Sequence, residues 1–254
     1  MSIYSDKSSI ALISTRPLET EAWLNKPTEN ISFSLFKHPL TKINPLNDYK
    51  IFDALLKNIV QYDHIIFIST NAVKYFLKRF NEKKIILPKN IKLSCIGPST
   101  KEMLEKNLNM IVHCPQGIYD SENLLMHEIF TFIENKNILI IRGEGGRETL
   151  KTGLELKKAN VIYGECYTRK YLALDLQNIK KIVQKFDQVY MLVSSLESAK
   201  KFMAHEIDKN LDWLSSVNFV VNHQKIRDEL KPFSKTIITS NISLGALQKI
   251  IIKK

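Results

Sequence analysis

The segment Asp63–Phe76, DHIIFISTNAVKYF, decides the fold, because a variant of it returns 126 residues later as Val189–Phe202, VYMLVSSLESAKKF. Each begins with an apolar run of the length that fills a buried parallel strand. Each run ends in hydroxylic residues, Ser69-Thr70-Asn71 in one and Ser194-Ser195 in the other, the types that cap a following helix. The shift lays Ser69 over Ser195 and Phe76 over Phe202. It also lays Ile91–Gly97 (IKLSCIG) on Val217–His223 (VNFVVNH), and Met110–Val112 on Thr236–Ile238. One offset carried through three strand units marks an internal duplication.

The remaining units pair as well. The Thr-Arg-Pro unit, Ile10–Leu24, resembles the glycine-rich unit Asn137–Leu150, and Asn30–Pro39 (NISFSLFKHP) matches Asn160–Arg169 (NVIYGECYTR) at an offset of 130. Alternating strands and helices imply parallel sheets with helices on both faces. The order of the units implies two such doubly wound α/β domains, the second inserted into the first. The expected boundaries are 1–38 with 169–254 for the first domain and 39–168 for the second. Two linking segments, near His38–Lys42 and Cys166–Tyr171, would join them.

Further elements follow from local pattern. Leu18–Leu24 and Ile51–Val60 have helical spacing, and Ser121–Ile133 is expected as one helix. Lys42–Lys50, with its prolines and asparagines, reads as a connector, as does Gly164–Leu172 after a short strand at Val161–Tyr163. Asn107–Asn109 and Asn25–Asn30 stand where a helix commonly ends in glycine, and asparagine tolerates the left-handed cap.

In sheets of this kind ligands sit beyond the carboxyl ends of the strands. Those ends carry Arg16; Ser69, Thr70 and Asn71; Gly97, Ser99 and Thr100; Arg142, Gly143, Gly145, Gly146 and Arg147; and Ser194 and Ser195. All are small, hydroxylic, amide-bearing or cationic. In NILIIRGEGGRETL, Asn137–Leu150, two arginines bracket three glycines that let a ligand approach bare backbone, and the N–H groups of a new helix favour an anion. A carboxylate or phosphate is the natural guest; the plainer reading is a tight turn with solvated arginines. The spacing is neither GxGxxG nor a P-loop.

Composition narrows the classes. The 254 residues carry 37 Lys+Arg against 26 Asp+Glu, a formal net charge of +11. That excess fits an anionic small ligand or compositional drift in a chain rich in Lys, Ile and Asn; the scattered lysines argue against a nucleic-acid stripe. No apolar run reaches the roughly 18–20 residues of a membrane span, and MSIYSDKSSIALIS is not built as a signal peptide. Cys95, Cys114 and Cys166, widely spaced and without CxxC, fit structural thiols in a reducing cytoplasm. The six histidines show no metal-ligand spacing, so no metal is expected, and no GxSxG or Cys–His signature points to a nucleophile.

These pieces, in order, resemble the uroporphyrinogen-III synthase family: Thr15-Arg16-Pro17, His38-Pro39, Phe67–Val73 (FISTNAV), Ile96–Thr100 (IGPST), Ile140–Leu150 (IIRGEGGRETL), Cys166–Lys170 (CYTRK) and Val193–Ser195 (VSS). The resemblance implies two flavodoxin-like domains, one inserted into the other and joined by two linking strands. It implies a monomeric, cofactor-free lyase of tetrapyrrole (heme) biosynthesis. Its substrate would be hydroxymethylbilane, a linear polycarboxylate whose eight acid groups make the basic balance intelligible. The enzyme expels the terminal hydroxyl and closes the ring with the last pyrrole inverted. Tyr167 matches the linker tyrosine held to assist departure of that hydroxyl, although a tyrosine on such a strand could also simply pack. One departure concerns Asn222-His223-Gln224-Lys225, which stands where the family often repeats an IGPTT-like turn. A sensor that binds a polyanion in such a cleft without chemistry is the alternative.

Overall fold

The computed structural model describes residues 10–17, 33–206, 212–232, 236–238 and 244–252. In chain order the strands are β1 (Ile10–Ser14), β2 (Ser34–Lys37), β3 (Thr41–Pro45), β4 (His64–Phe67), β5 (Lys92–Cys95), β6 (Val112–His113), β7 (Asn137–Gly143), β8 (Asn160–Tyr171), β9 (Gln188–Leu192), β10 (Val217–Val221) and β11 (Thr236–Ile238). The helices are α1 (Lys50–Lys57), α2 (Thr70–Glu82), α3 (Pro98–Leu108), α4 (Ser121–Leu125), α5 (Thr149–Leu156), α6 (Leu176–Lys185), α7 (Leu196–Glu206), α8 (Gln224–Glu229) and α9 (Leu244–Ile252). The chain divides into two compact units, Met1–Lys42 with Lys170–Lys254, and Ile43–Arg169.

The discontinuous unit is built on a sheet of order β11-β10-β9-β1-β2, every neighbour parallel. Alternate residues of β1 serve opposite faces, as a pleated strand requires. Ala11 and Ile13 join one apolar cluster with Met191 and Phe219, while Leu12 joins another with Tyr190 and Val220. Counted along the chain, this is the second-first-third-fourth-fifth order of doubly wound folds.

The continuous unit repeats the pattern in the order β3-β8-β7-β4-β5-β6, with β3 as an added edge. Ile65 and Phe67 of β4 enter one cluster with Phe76 and Leu93; Ile66 enters the other with Phe130, Ile138 and Ile140. Both sheets are thus covered on both faces, which is why β4, β9 and the middle of β7 read as unbroken apolar runs.

Strand register makes the duplication sharper than the sequence showed. His64 pairs with Lys92, and the residues 126 further on, Tyr190 and Asn218, pair likewise. His64 also pairs with Ile138, and Tyr190 with Leu12, so β7 stands over β1 at the same 126. Ile138 pairs with Val161 and Leu12 with Leu35, so β8 stands over β2 at 126 as well. The expected offset of 130 for that pair is corrected by four residues. The edge strand departs the other way: Leu93 pairs with Val112 but Phe219 with Thr236, an offset of 124. A slip of two leaves the strand's facing unchanged, so it costs no burial pattern.

The sequence is therefore a plain tandem repeat, and the folding is crosswise. Strands β1 and β2 of the first copy complete a sheet with β9, β10 and β11 of the second. Strands β7 and β8 of the second copy complete a sheet with β4, β5 and β6 of the first.

Several local expectations are corrected. Lys42–Lys50 is not all connector, since Thr41–Pro45 forms β3. Gly164–Leu172 does carry the division between the units, at Arg169/Lys170, but as strand and not as loop, since β8 runs to Tyr171. Gly164 sits inside that strand because Ile141, Leu139 and Phe52 pack where its Cβ would be, the nearest atom at 2.9 Å. The helix expected over Ser121–Ile133 stops at Leu125, and His127 caps a separate short turn, Glu128–Phe130, through Nδ1. Asn109 takes the left-handed cap at φ 51°. Leu18–Leu24 and Asn25–Asn30 lie outside the described residues.

Candidate active site

Parallel pairing places the turns after β7, β4 and β5 along one edge of the continuous unit's sheet. Their most constrained group is Tyr167. The pairing of β7 with β8 slips at Arg142/Gly143, so that Gly143 faces Tyr167. An extra residue of this kind re-aims the side chains that follow it. The Tyr167 ring then lies on the bare backbone of Gly143: a Cβ there would sit 2.4 Å from the ring carbon Cε2. Glu144 N–H donates to the Tyr167 carbonyl at 2.8 Å, and the Tyr75 ring stacks on Tyr167 at 5.5 Å.

Tyr167 is only 1% exposed, and its hydroxyl has two polar neighbours. The Arg169 guanidinium donates to it through Nη2 at 2.9 Å, and Ser69 Oγ lies 3.3 Å away. A phenol oxygen that accepts a charged N–H keeps its own proton for a partner, and charge-assisted bonds of this type are the stronger ones. Ser69 is held in turn by capping α2, its Oγ accepting from Ala72 N–H at 3.2 Å. Thr70 and Asn71, half-buried, open that helix. At the next strand end Gly97 precedes α3 without a side-chain cap; Ser99 is exposed and Thr100 buried.

The glycine-rich turn differs from the open cation-and-amide cradle expected of it. Arg142 is 2% exposed. Its Nη1 bonds Glu148 Oε1 at 3.2 Å, its Nε lies 3.8 Å from Glu165 Oε1, and its guanidinium covers the Tyr163 ring at 4.0 Å. Tyr163 O–H donates to Glu148 at 2.8 Å. That bond first, and Arg142 second, hold the Glu148 carboxyl below its ordinary pKa, while burial pushes the Tyr163 phenol up. Gly145 N–H is already taken by Glu165 Oε1 at 3.1 Å. Arg142 and Gly145 therefore shape the turn from within. Gly145 and Gly146 need their positive φ, 68° and 111°, and a Cβ on Gly146 would meet Arg142 at 3.0 Å. Arg147 is the arginine turned outward, 3.8 Å from Glu122 and about half exposed.

In the discontinuous unit the turns after β1 and β9 are neighbours. Thr15 donates through both N–H and Oγ1 to Leu192 O, at 3.2 and 2.7 Å, and the half-buried Arg16 follows. Ser194 leads to the exposed Ser195, which caps α7 by accepting from Ser198 N–H at 3.0 Å. At α8 the His223 ring accepts Lys225 N–H at 3.1 Å, so a side chain occupies the helix start that Gly97 leaves uncapped.

Sequence reasoning omitted Arg169 from the site. It lies two residues beyond Tyr167 on one strand, so the period of two alone places both on one face. Tyr75, Glu148, Tyr163 and Glu165 were also missed, as they act through contacts distant in sequence. Among the described residues no cluster of three His, Cys, Asp or Glu is placed to hold a metal ion, and no helix is long and apolar enough to cross a membrane.

Fold and site together define a two-domain α/β protein with capped turns at its strand ends and, in its continuous unit, a bonded tyrosine. Residues 24–245 match the profile of the family described as "Uroporphyrinogen-III synthase HemD". The chain belongs to the uroporphyrinogen-III synthase family. It is similar to the uroporphyrinogen-III synthase of Proteus mirabilis, 29% identical over 64% of this chain and 82% of that one. It is also similar to that of Escherichia coli, 25% identical over 63% and 65%. Among solved structures it shares its fold with a mutant uroporphyrinogen III synthase from Thermus thermophilus, with a TM-score of 0.66 at 12% identity over 97% of this chain and all of that one. The Helicobacter pylori uroporphyrinogen-III synthetase gives a TM-score of 0.58 at 16% identity, over 96% and 98%.

Proposed function

We propose that this chain is a uroporphyrinogen-III synthase of heme biosynthesis, a lyase that closes hydroxymethylbilane to uroporphyrinogen III with loss of water and inversion of the last pyrrole. The observation that supports this most is the Tyr167 cluster at the strand ends of a chain of this family. Its phenol, held by Arg169 and Ser69, can donate a hydrogen bond to the terminal hydroxyl of the substrate. The hydroxyl takes the phenol proton and leaves as water, and the azafulvene cation left behind is attacked by the substituted carbon of the last pyrrole. The resulting spiro intermediate opens and recloses, and the proton then lost restores the phenol.

Most of the reactivity belongs to the substrate, so the protein's task is to hold the two ends for inverted closure and to stabilise the charges that develop. Arg16, Ser69, Thr70, Asn71, Gly97, Ser99, Thr100, Gly146, Arg147, Ser194 and Ser195 are the residues assigned to its carboxylates. Arg142, Gly143 and Gly145 are assigned to the architecture beneath them. The proposal includes a cytoplasmic monomer that needs neither cofactor nor nucleic acid.

The test is a coupled assay with freshly generated hydroxymethylbilane that separates type I from type III uroporphyrinogen. Type III product is expected. Type I alone, the spontaneous outcome, would leave a protein that binds polyanions without catalysing.

A further inference from the structure

Two of the three free cysteines stand side by side. Leu93 pairs with Val112 and Ser94 with His113 across β5 and β6, so the next position along the register sets Cys95 opposite Cys114. The pleat sends Leu93, Cys95, Val112 and Cys114 to one face, where all four pack against the same apolar cluster. Neighbouring strands run roughly 4.8 Å apart, inside the Cα separation of about 4.4–6.8 Å that a disulfide accepts. The sulfurs sit over one turn: Cys95 Sγ lies 3.4 Å from Gly97 O and Cys114 Sγ 3.6 Å from Ile96 O. The environments differ. Cys95 is fully buried at the end of β5, whereas Cys114 is partly exposed beyond the end of β6.

From this juxtaposition we infer that Cys95 and Cys114 are a peroxide-responsive dithiol, with Cys114 the attacked sulfur and Cys95 the resolving one, closing a reversible disulfide at the foot of the Gly97–Thr100 turn. The division of labour is chemical. The neighbouring Cys95 thiol, with Lys101 nearby, lowers the pKa of the partly exposed Cys114, while the neighbouring Cys114 and burial raise that of Cys95. Thiolate character and access select the sulfur that peroxide oxidises. Cys114 thiolate attacks one peroxide oxygen; the S–O bond forms, the O–O bond breaks, and hydroxide leaves to take up a proton as water. The Cys95 sulfur then attacks the sulfenic sulfur. The S–S bond forms, the S–O bond breaks, and the hydroxyl departs with the Cys95 proton as a second water. Two thiols and one hydrogen peroxide give one disulfide and two waters. Cys166 stands apart, buried against Ala72 and Arg142 carbonyls, with its thiol pushed up by burial.

The experiment treats the reduced full-length protein with hydrogen peroxide, removes the oxidant, denatures and alkylates. The three free thiols are expected to fall to one, mapped by peptide analysis to Cys166, with the intact mass lowered by two hydrogens and dithiothreitol restoring all three. Cys95→Ser is expected to trap Cys114 as a sulfenic acid that a cyclic 1,3-dione captures, and Cys114→Ser to lose the reaction. Three thiols surviving in the wild type, a bridge to Cys166 or between chains, or sulfinic acid on Cys114 in place of the bridge would overturn the pair. Peroxide consumption by Cys114→Ser at the wild-type rate would overturn the assignment of the attacked sulfur. Because the wild-type thiol count needs no variant, misfolding of either serine substitution leaves the pair tested.

Discussion

The two units are built from the same repeated strands, yet they treat the ends of those strands differently. Ser69 and Ser195, 126 apart, both cap the helix that follows, each accepting the N–H three residues on. There the likeness stops. Ser69 also meets the Tyr167 hydroxyl, while Ser195 donates to the hydroxyl of Ser198 within its own helix start. Strand β8 runs for 12 residues, long enough to carry Tyr167 and Arg169, where its counterpart β2 has 4. Gly97 leaves α3 uncapped, while His223 closes the start of α8 with its ring. Backbone frame and caps are shared because they serve folding. The side chains at the strand ends have diverged, because the frame does not dictate them.

The sharpest way to break this contrast is Gly143→Val. Its counterpart 126 residues earlier is Pro17, so the position tolerates a side chain in one unit. In the other, a Cβ collides with the Tyr167 ring at 2.4 Å. Overpacking of this kind costs about 1–3 kcal/mol, and an ångström of displacement at the phenol costs about 10²-fold in rate. Denaturant unfolding and turnover should both fall; a stable, fully active Gly143→Val protein would sink the close-packing account.

Tyr167→Phe is milder. It keeps the ring on Gly143 and removes the bonds to Arg169 and Ser69. A positioned proton donor contributes about 10²–10⁴-fold, and a substrate hydroxyl that ionises readily puts the loss at or below the small end. Type III product should still dominate. Mostly type I product would mean that the phenol itself governs inversion.

Acid separates one pair of equivalent positions as well. His64 is buried against Ser94 and Phe130, and burial, with Lys92 adding to it, lowers its pKa to about 3. Its counterpart in the other unit is Tyr190, which does not charge in acid. The unfolded chain takes up a proton near 6.5 that the folded chain refuses, so stability falls as pH drops from there towards 3. Over the single unit from roughly pH 6 to 5 the loss is about 1 kcal/mol. Replacing His64 with Gln should flatten that slope, and an unchanged slope would show that His64 does not set it.

The smallest effect belongs to the caps. Ser195→Ala removes a helix cap and should cost about 1 kcal/mol, and Ser69→Ala, which also removes the contact with the Tyr167 hydroxyl, should cost at least as much. Thermal unfolding in which Ser69→Ala cost clearly less than Ser195→Ala would contradict this.

How far these features were legible depends on their physical origin. The duplication could be read because buried strands write themselves as apolar runs ending in capping residues. The pairing of β2 with β8 was misread by four positions because Asn30 and Asn160 looked like matching starts, whereas register is fixed by Leu35 and Val161 facing Leu12 and Ile138. Gly164 looked like a strand breaker and is a packing accommodation for Ile141, Leu139 and Phe52. Burial of Arg142 was not legible at all. It depends on Glu148, Glu165 and Tyr163 converging from a turn and a neighbouring strand, which no local pattern announces. Tyr167 came from family likeness; its partner Arg169 could have come from strand periodicity.

The crosswise assembly of the repeats also fixes an order of events during synthesis. Everything needed for the sheet of the continuous unit has been made once Tyr171 is added. The other sheet must wait, because β1 finds no partner but β2 until β9 exists, and Thr15 reaches Leu192 across 177 positions of chain. Domains tend to fold as units while the chain is still growing, and contacts so distant are paid for in loop entropy before they return anything. Strand β1 is thus secured late, held in reserve while the inserted unit folds ahead of it. Slow elongation before residue 188 should leave a chain with one finished sheet and an exposed, protease-sensitive amino-terminal segment.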